Sequence, residues 1–425
     1  MDTIFAVSSG APPAAIAVMR ISGSAAFAVG EALAGPIPAP RSAALRTLRD
    51  AQGGVLDRAL LLAFPGPNSA TGEDIVELHL HGGRAVIRAV EAALAAMPGL
   101  RPAEPGEFTR RALLAGRIDL TEAEGLGDLL SAETETQRRA ALTLVEGGLR
   151  QIAEAWTDGV VQLAASVEAA IDFSDEEDVP IAQVTVVTDR AAALAAEMAI
   201  MLAAPPIERL RDGLHVVIAG PPNSGKSTLL NALTERDAAI VSPISGTTRD
   251  RIEIPVARDG IAYVVTDTAG LAPATDDPIE QIGIRRAGEA IRSADILLWM
   301  GDDTPPTGAI WLHGRADLAD RTTMPAGRDL AVSAANGSGM ALLWALIAER
   351  AATLLPPADS VALNQRQRGL IAEAQQWLDH VAGASDILLL AEHLRLAMRA
   401  LHRLTGRSDV EAMLDTLFAR FCIGK

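Results

Sequence analysis

A chain of 425 residues is longer than a single hydrophobic core usually supports, so the sequence predicts roughly two to four domains. Its 49% hydrophobic and 21% charged residues exclude an intrinsically disordered protein, and its net charge of −17 argues against a broad basic surface for nucleic acid. The single cysteine, Cys422, excludes an intramolecular disulfide and cannot by itself form a thiolate metal cluster.

The N-terminal residues carry no recognisable targeting signal. Asp2 stands where a secretory leader would carry basic residues. No apolar run approaches the ~20 residues that a membrane-spanning helix needs. We therefore expect a cytoplasmic protein that makes no membrane contact.

Residues 1–118 mix short β-type stretches with one Ala-rich helical segment. Strands are predicted over 3–7, 15–20 and 75–81, and the helical segment covers 84–96. This mixture predicts a small α+β domain.

Helical spacing dominates two later blocks. Residues 119–210 form long segments rich in Ala, Leu, Glu and Arg, and helical character returns over 357–425. Between them, residues 211–356 alternate strands with helices, which is typical of an α/β sheet. The predicted fold class is therefore α/β plus α: an N-terminal α+β domain, and a discontinuous helical domain that contains an inserted α/β domain.

The inserted domain has one hairpin signal, the Asp259-Gly260 pair, so one edge of its sheet should be antiparallel. Its predicted strands cover residues 214–219, 252–257, 261–266, 295–300, 310–313 and 330–333.

The most specific motif is G-x-x-x-x-G-K-S at Gly220–Ser227, directly after the apolar run 214–219. Its glycines allow backbone N–H groups to wrap a β-phosphate above a helix N-terminus. Lys226 would contact the β- and γ-phosphate oxygens, and Ser227 would hold Mg²⁺. The alternative, a chance glycine-rich turn, is weak because the strand and the helix are both in place.

Two downstream motifs favour a GTPase-type domain. Asp267 begins D-T-A-G after an apolar strand, where a carboxylate stands behind Mg²⁺ and a glycine N–H meets the γ-phosphate. Thr248 lies in G-T-T-R-D, where a switch threonine closes on Mg²⁺. Either motif alone could be an ordinary turn, so the assignment depends on their joint occurrence.

The water-orienting group is not where Ras-like hydrolases have it. Leu271 follows D-T-A-G, where those enzymes carry a glutamine. Glu280 is the candidate replacement, and the alternative is a solvated carboxylate at a helix start. Asn223, inside the phosphate loop, could hold a monovalent cation in place of an arginine finger.

Guanine recognition is the weakest motif. The N-K-x-D counterpart is Gly314-Arg315-Ala316-Asp317, in which Asp317 can still accept two hydrogen bonds from guanine. Gly314 lacks the side chain that braces the loop and Arg315 replaces a lysine, so we expect guanine binding with reduced affinity. The predicted GTP-binding set comprises Asn223, Ser224, Gly225, Lys226, Ser227, Thr228, Ser242, Pro243, Ile244, Ser245, Gly246, Thr247, Thr248, Asp267, Thr268, Ala269, Gly270, Asp317, Ser333 and Ala334.

Further motifs follow one order along the chain: R-I-S-G from Arg20, E-D-I-V-E-L from Glu73, H-G-G from His81, P-G-E-F from Pro105, G-R-I-D-L from Gly116 and the terminal F-C-I-G-K. With the phosphate loop, G-T-T-R-D and D-T-A-G-L, they resemble the MnmE (TrmE) family of tRNA modification GTPases over the whole chain. The resemblance implies a folate-binding-like N-terminal domain and a Ras-like P-loop GTPase domain inserted into the helical domain.

The resemblance implies a homodimer joined through the N-terminal domain, which binds a tetrahydrofolate derivative in its 5,10-methylene or 5-formyl form. Its contacts would be Arg20, Glu77, Arg117 and Lys425. Arg117 stands where the family usually has lysine, a substitution that keeps the charge but alters its geometry. Taken singly, each of these residues would be an ordinary surface or capping charge.

The resemblance also implies K⁺ coordination by Asn223, Ser242, Ile244 and Thr247, which helps two G domains dimerise across their nucleotide faces and stimulates hydrolysis. It places Glu280 on the family's water-orienting glutamate.

The family acts as a heterotetramer with MnmG (GidA), a flavoprotein that binds FAD and uses NADH. The resemblance implies that tRNA is bound mainly through this partner. The product carries an aminomethyl or carboxymethylaminomethyl group on C5 of the wobble uridine of certain tRNAs. Cys422 would reach the reaction centre. Its role there, as a nucleophile, a proton donor or neither, stays open.

Two other functions stay open. A regulatory GTPase of the ribosome-assembly kind, acting as a binding switch, would share the G domain but usually carries a basic RNA-binding module. A folate-binding scaffold with a decayed G domain conflicts with the retained Lys226, Ser227, Thr248, Asp267 and Glu280. The leading hypothesis is a K⁺-stimulated GTPase that takes part in tRNA modification.

Overall fold

A computed structural model describes residues 2–172, 181–234, 253–268, 288–357, 360–384, 386–408, 411–419, 421 and 423–424. The chain divides into two compact units: residues 1–127, 145–154 and 402–425 form the first, and residues 128–144 and 155–401 form the second. The division into three domains at 118/119, 210/211 and 356/357 stays a prediction.

The first unit contains a six-stranded sheet in the order β3-β4-β5-β2-β1-β6. Its strands are β1 (Thr3–Val7), β2 (Ile16–Ser22), β3 (Ala44–Arg49), β4 (Val55–Phe64), β5 (Ile75–His81) and β6 (Leu100–Pro102). The β1–β6 pair is parallel and the other pairs are antiparallel. The predicted strands 3–7 and 75–81 are confirmed, and the strand predicted over 15–20 begins and ends slightly later.

The sequence does not predict β3 and β4. In β3 the leucines Leu45 and Leu48 are three residues apart, and β4 ends in a continuous apolar run, so neither strand shows the alternation that identifies a half-buried strand.

The two faces of this sheet differ. Helices α1 (Ala26–Ala34) and α2 (Arg84–Ala95) contribute to the core on one face, which includes the fully buried Met19, Leu61 and Leu78. Since side chains alternate along a strand, Arg20 and Glu77 lie on the opposite face. That face also carries exposed apolar side chains, namely Ile16, Leu45 and Leu60.

The second unit contains the inserted sheet, in the order β12-β11-β10-β7-β9-β8. Its strands are β7 (Leu214–Ala219), β8 (Glu253–Arg258), β9 (Ile261–Asp267), β10 (Ile296–Trp299), β11 (Ile310–His313) and β12 (Leu330–Ala331). Every pair is parallel except β8–β9, which the predicted Asp259-Gly260 turn joins as an antiparallel hairpin. Both turn residues have positive φ angles, 51° and 81°, as a two-residue turn of this type requires.

Helices make up most of the remaining described residues. They are α3 (Glu107–Leu114), α4 (Leu120–Ser131), α5 (Glu135–Val145), α6 (Gly148–Asp172), α7 (Ile181–Ala203), α8 (Glu208–Asp212), α9 (Lys226–Thr234), α10 (Met340–Leu354), α11 (Gln365–Gly383), α12 (Ile387–Thr405) and α13 (Glu411–Phe418). Helix α11 packs along α7 and begins with a capping box formed by Asn364 and Gln367. Among the helices of these ranges, none is long and apolar enough to cross a bilayer.

A buried charge network fixes α3 in the first unit. Arg111 donates to Asp2, Glu73 and Glu107 at 2.9–3.0 Å, and its side chain is only 7% exposed. Arg101 donates to Glu107 at 2.6 Å from the neighbouring strand β6. The network therefore connects α3 to the sheet and to the first residues of the chain.

We expect Arg111→Ala to lower the free energy of unfolding of this unit by about 3–5 kcal/mol, because it leaves the buried Glu107 and the half-buried Glu73 short of a partner. Arg110→Ala is the matched control, since Arg110 pairs with the exposed Asp415 at 3.1 Å and should contribute about 1 kcal/mol or less. Differential scanning calorimetry measures the difference, and equal melting temperatures for the two variants would contradict the expectation.

The same network predicts acid sensitivity. Burial raises the pKa of Glu107, but hydrogen bonds from Arg101, from the Glu104 N–H and from Arg111 outweigh it and leave the pKa below its ordinary value. A depressed folded pKa stabilises the fold above the unfolded pKa, and the contribution is lost as the pH falls through the folded pKa. The stability difference between wild type and Arg111→Ala should therefore shrink as the pH falls below about 4.3, the ordinary glutamate pKa, and through the lower folded pKa of Glu107.

Candidate functional site

The phosphate loop follows β7 directly and leads into α9. Gly220 has φ 146°, and a Cβ there would lie 3.0 Å from the Gly301 N, so this position requires glycine. Asn223 and Gly225 also have positive φ angles, 62° and 98°. This backbone turns the loop over the N-terminus of α9, where free N–H groups favour a phosphate.

Lys226 is folded onto the loop itself. Its Nζ donates to the carbonyl oxygens of Gly220 and Pro221 at 3.0 and 2.8 Å. Burial lowers the pKa of the amine, and the charge of Asp267 opposes this shift. The two carbonyls therefore hold the ammonium inside the phosphate loop.

Ser227 and Asp267 meet at the other side of the loop. The Ser227 Oγ donates to the Asp267 Oδ2 at 2.6 Å, and Asp267 is buried at the end of β9. A hydroxyl and a carboxylate are hard oxygen ligands of the kind that Mg²⁺ prefers. Thr268, the next residue, is anchored because its N–H and Oγ1 both donate to the Ile218 carbonyl.

The base-recognition segment follows β11. The Asp317 Oδ1 accepts from the buried Ser333 Oγ at 2.5 Å, and the Ala316 N–H donates to the Val332 carbonyl. The hydrogen bond from Ser333 holds the pKa of Asp317 below its ordinary value, so the carboxylate is ionised at neutral pH. An ionised carboxylate here can accept from two N–H donors of a base.

A cavity of about 530 Å³ joins the phosphate loop to the base segment. Of the predicted GTP-binding residues, it brings together Asn223, Gly225, Lys226, Ser227, Thr228, Asp317 and Ala334. The neighbouring Ser224 has a buried hydroxyl without a hydrogen-bond partner among the described residues. A cation and hydroxyls line the cavity at the phosphate loop, and a carboxylate lines it at the base segment. The cavity therefore suits a nucleotide.

Several predicted residues lie outside the described residues. They are the switch residues Ser242, Pro243, Ile244, Ser245, Gly246, Thr247 and Thr248, then Ala269, Gly270 and Glu280, and the tail residues Cys422 and Lys425. Their predicted roles stay predictions.

A second candidate site lies on the open face of the N-terminal sheet. Arg20 Nε and Nη2 donate to the Glu77 Oε1 at 3.0 and 2.8 Å, because the two residues are direct cross-strand neighbours on β2 and β5. Glu77 and Arg117 line one cavity of about 340 Å³, together with Arg41 and Phe64. The predicted folate residues Arg20, Glu77 and Arg117 are thus brought together.

Two family models match consecutive parts of this chain: "GTP-binding protein TrmE N-terminus" over residues 3–117 and "MnmE helical domain" over residues 120–422. A curated relative from Erythrobacter litoralis, named tRNA modification GTPase MnmE, is 54% identical over 100% of both chains. The chain belongs to the MnmE family.

Other MnmE relatives have sequence identities close to that of the Erythrobacter litoralis protein. The tRNA modification GTPase MnmE of Rhizorhabdus wittichii is 56% identical over 100% of this chain and 97% of its own, and that of Zymomonas mobilis is 51% identical over 100% of both. Among solved structures, the G domain of the T. maritima FeoB iron transporter is 22% identical, covers 32% of this chain and 98% of its own, and has a TM-score of 0.25. That likeness is too distant to support an argument. The family assignment therefore rests on the sequence relatives.

The sequence did not predict several residues that line the nucleotide cavity and the cavity beside Glu77. Met300 and Leu318 line the nucleotide cavity, and Arg41 and Phe64 lie beside Glu77. Met300 had a usable signal, because it directly follows a parallel strand, and ligands of α/β sheets bind at those ends. Arg41 and Phe64 had no such signal, since the sequence did not predict β4, the strand that ends at Phe64.

We expect Ser227→Ala to weaken GDP binding about tenfold to a hundredfold in MgCl₂ and less than about threefold in EDTA, because it removes an oxygen of the predicted Mg²⁺ site. Thr234→Ala, which removes a hydroxyl further along α9, is the matched control. Isothermal titration calorimetry in both buffers measures the effect. An equal loss with and without Mg²⁺ would assign Ser227 to loop structure instead of metal binding.

Proposed function

We propose that this chain is a GTP hydrolase that takes part in tRNA wobble uridine modification, together with a flavoprotein of the MnmG (GidA) kind. The observation that supports it best is the cavity that connects Lys226 and Ser227 to Asp317, because its residues could meet the phosphates at one end and a guanine base at the other. The relatives are named tRNA modification GTPase, which supports the GTPase and tRNA modification parts of the proposal.

Hydrolysis requires a positioned water and a stabilised phosphate charge. Lys226 and the N–H groups of the phosphate loop stabilise the charge on the β- and γ-phosphate oxygens. Glu280 orients the attacking water in this proposal, since Leu271 replaces the usual glutamine. The free energy of hydrolysis drives a conformational change of the G domain, which gates the modification step.

The donor set fits the two cations of the proposal. Ser227, with Thr248 from the switch segment, would hold Mg²⁺, which supplies charge neutralisation when bound, and Asp267 stands behind it. Asn223 lines the cavity, and its amide oxygen, with Ser242, Ile244 and Thr247, would hold K⁺.

The folate proposal rests on the charges and the ring at the second site. Arg117 and Arg41 are cations that can pair with the glutamate carboxylates of a tetrahydrofolate derivative, in its 5,10-methylene or 5-formyl form. Glu77 can accept from pterin N–H donors, and Phe64 offers a ring face. Arg20 orients Glu77 through its two hydrogen bonds, and Lys425 completes the proposed set.

The open sheet face supports a homodimer. Leu45, Leu60, His79 and Val18 form a continuous cross-strand row on the face opposite the core. Leu45 and Leu60 are 54% and 41% exposed, and an exposed apolar row of this kind is usually covered by a partner. We propose a second copy of this chain as that partner, with FAD and most of the tRNA contact on the flavoprotein. In this proposal Cys422 reaches the reaction centre of the modification step.

We expect GTP hydrolysis to be on the order of a hundredfold faster in KCl than in NaCl, because a cation that replaces an arginine finger substitutes for an effect of about 10³–10⁵. Asn223→Ala should remove this difference, whereas Asn231→Ala on α9 should retain it. Steady-state phosphate release measures both. Equal wild-type rates in the two salts would remove the K⁺ role and leave the GTPase proposal standing.

Complementation of cells that lack this protein tests the function as a whole. The wild-type chain should restore the C5 group on the wobble uridine, measured by mass spectrometry of tRNA nucleosides. Glu280→Ala should lose both GTP hydrolysis and modification, because it removes the water-orienting group. Glu77→Ala should lose modification and keep hydrolysis, because it alters the second site alone. A wobble uridine that still carries its C5 group in the deficient cells would overturn the proposal.

A further inference from the structure

The base-recognition loop lacks a bracing side chain at Gly314, and the Met300 methyl group lies where that side chain would begin. The φ angle of Gly314 is not positive, so its backbone does not require glycine. A Cβ built there would lie 2.7 Å from the Met300 Cε and 3.4 Å from the Ser224 carbonyl oxygen, so Met300 would have to move to admit a side chain. The Met300 methyl group occupies the volume that a side chain at position 314 would take.

Met300 is placed where it can brace both loops. It is 5% exposed, it directly follows β10, and its N–H donates to the Ala219 carbonyl just before the phosphate loop. A Cβ built at Gly225 would lie 3.7 Å from the same methyl group. The methyl therefore sits between the phosphate loop and the base loop, and it lines the nucleotide cavity. Since methionine is flexible, a side chain at 314 would displace it toward that cavity.

Arg321 braces the same loop from its far end. Its Nε donates to the Gly314 carbonyl at 2.9 Å, and its two terminal nitrogens donate to both oxygens of Asp302 at 3.1 Å. Arg328 also donates to Asp302 at 2.9 Å and stacks on the Trp311 ring at 4.0 Å. Because the Arg321 guanidinium is planar and donates three hydrogen bonds, it fixes both the direction and the distance of the Gly314 carbonyl.

The loop is closed between these two braces. The Arg321 N–H donates to the Leu318 carbonyl, the Leu318 N–H donates to the Arg315 carbonyl, and Arg315 Nη1 donates to the Asn223 carbonyl at 3.0 Å. Asp317 lies inside this closed segment, so Gly314 and Arg321 hold the backbone on which it stands, while the Ser333 Oγ bonds its carboxylate directly.

We propose that Met300 and Arg321 are positioning residues for guanine recognition, which together replace the bracing side chain absent at Gly314 and hold Asp317 against the N1 and 2-amino donors of the base. The proposal rests on the proposed GTPase function and deepens it at the base end. It reverses the simple expectation that restoring asparagine at 314 would improve nucleotide affinity.

The test compares GDP with IDP, whose base lacks the 2-amino group that Asp317 would bind. Wild type should bind GDP about tenfold to a hundredfold more tightly than IDP, the value of one hydrogen bond to a charged group. Arg321→Ala should lower this ratio by about tenfold, because the carboxylate loses its direction. Arg350→Ala removes an exposed arginine from α10 and should keep the wild-type ratio.

A double-mutant cycle tests Met300 separately. Gly314→Asn alone should weaken GDP binding about tenfold, as overpacking predicts. Met300→Ala alone should also weaken it, and Gly314→Asn with Met300→Ala should return to within about threefold of wild type, since the new side chain fills the vacated space. Titration calorimetry gives the affinities, and thermal melting shows that each variant is folded.

The outcomes distinguish the proposed GTPase function from the roles of Met300 and Arg321. Unchanged or tighter GDP binding by Gly314→Asn alone overturns the Met300 role, and an unchanged GDP-to-IDP ratio in Arg321→Ala overturns the Arg321 role. A wild-type protein with no preference for GDP over ADP overturns the proposed function and this inference with it. A preference for GDP over ADP with unaffected variants overturns the inference alone.

Discussion

The nucleotide site depends on the parallel pairing of β7 with β9 on one side and β10 on the other. The register pairs Ile218 with Asp267 and Ala219 with Trp299, so the phosphate loop, Asp267 and Met300 emerge at the same edge of the sheet. The 2.6 Å contact between Ser227 and Asp267 follows from that register. A slip of one residue would turn the strand's side chains to the other face and take the Asp267 carboxylate away from Ser227.

The parts of this site that sequence could predict are those encoded locally. The phosphate loop is one continuous motif, and Asp267 could be predicted because it ends an apolar strand. The opposition of Met300 and Gly314 could not be predicted, because it arises when β10 pairs with β11 and brings residues of two separate segments together. Glu280, Thr248 and the other switch residues lie outside the described residues, so their placement stays a prediction.

The two sheets position their candidate ligand residues in different ways. The parallel sheet of the second unit uses strand ends, which converge on a cavity and leave the strands themselves buried. The antiparallel sheet of the first unit uses one face, where Arg20 and Glu77 are cross-strand neighbours. The sequence showed the motifs around both residues. It did not show that they share a row, because that follows from the β2–β5 register.

Lys226 has a further consequence. Its ammonium already bonds two loop carbonyls, and the chain contains one other lysine, Lys425, among 37 lysines and arginines. Burial lowers the pKa of the Lys226 amine, and lysine ammonium groups react with acylating reagents only after losing a proton. An acylating reagent therefore has one internal lysine as its target, Lys226, which lies in the phosphate loop. The arginine-rich composition makes the phosphate loop a chemically distinct position in the chain.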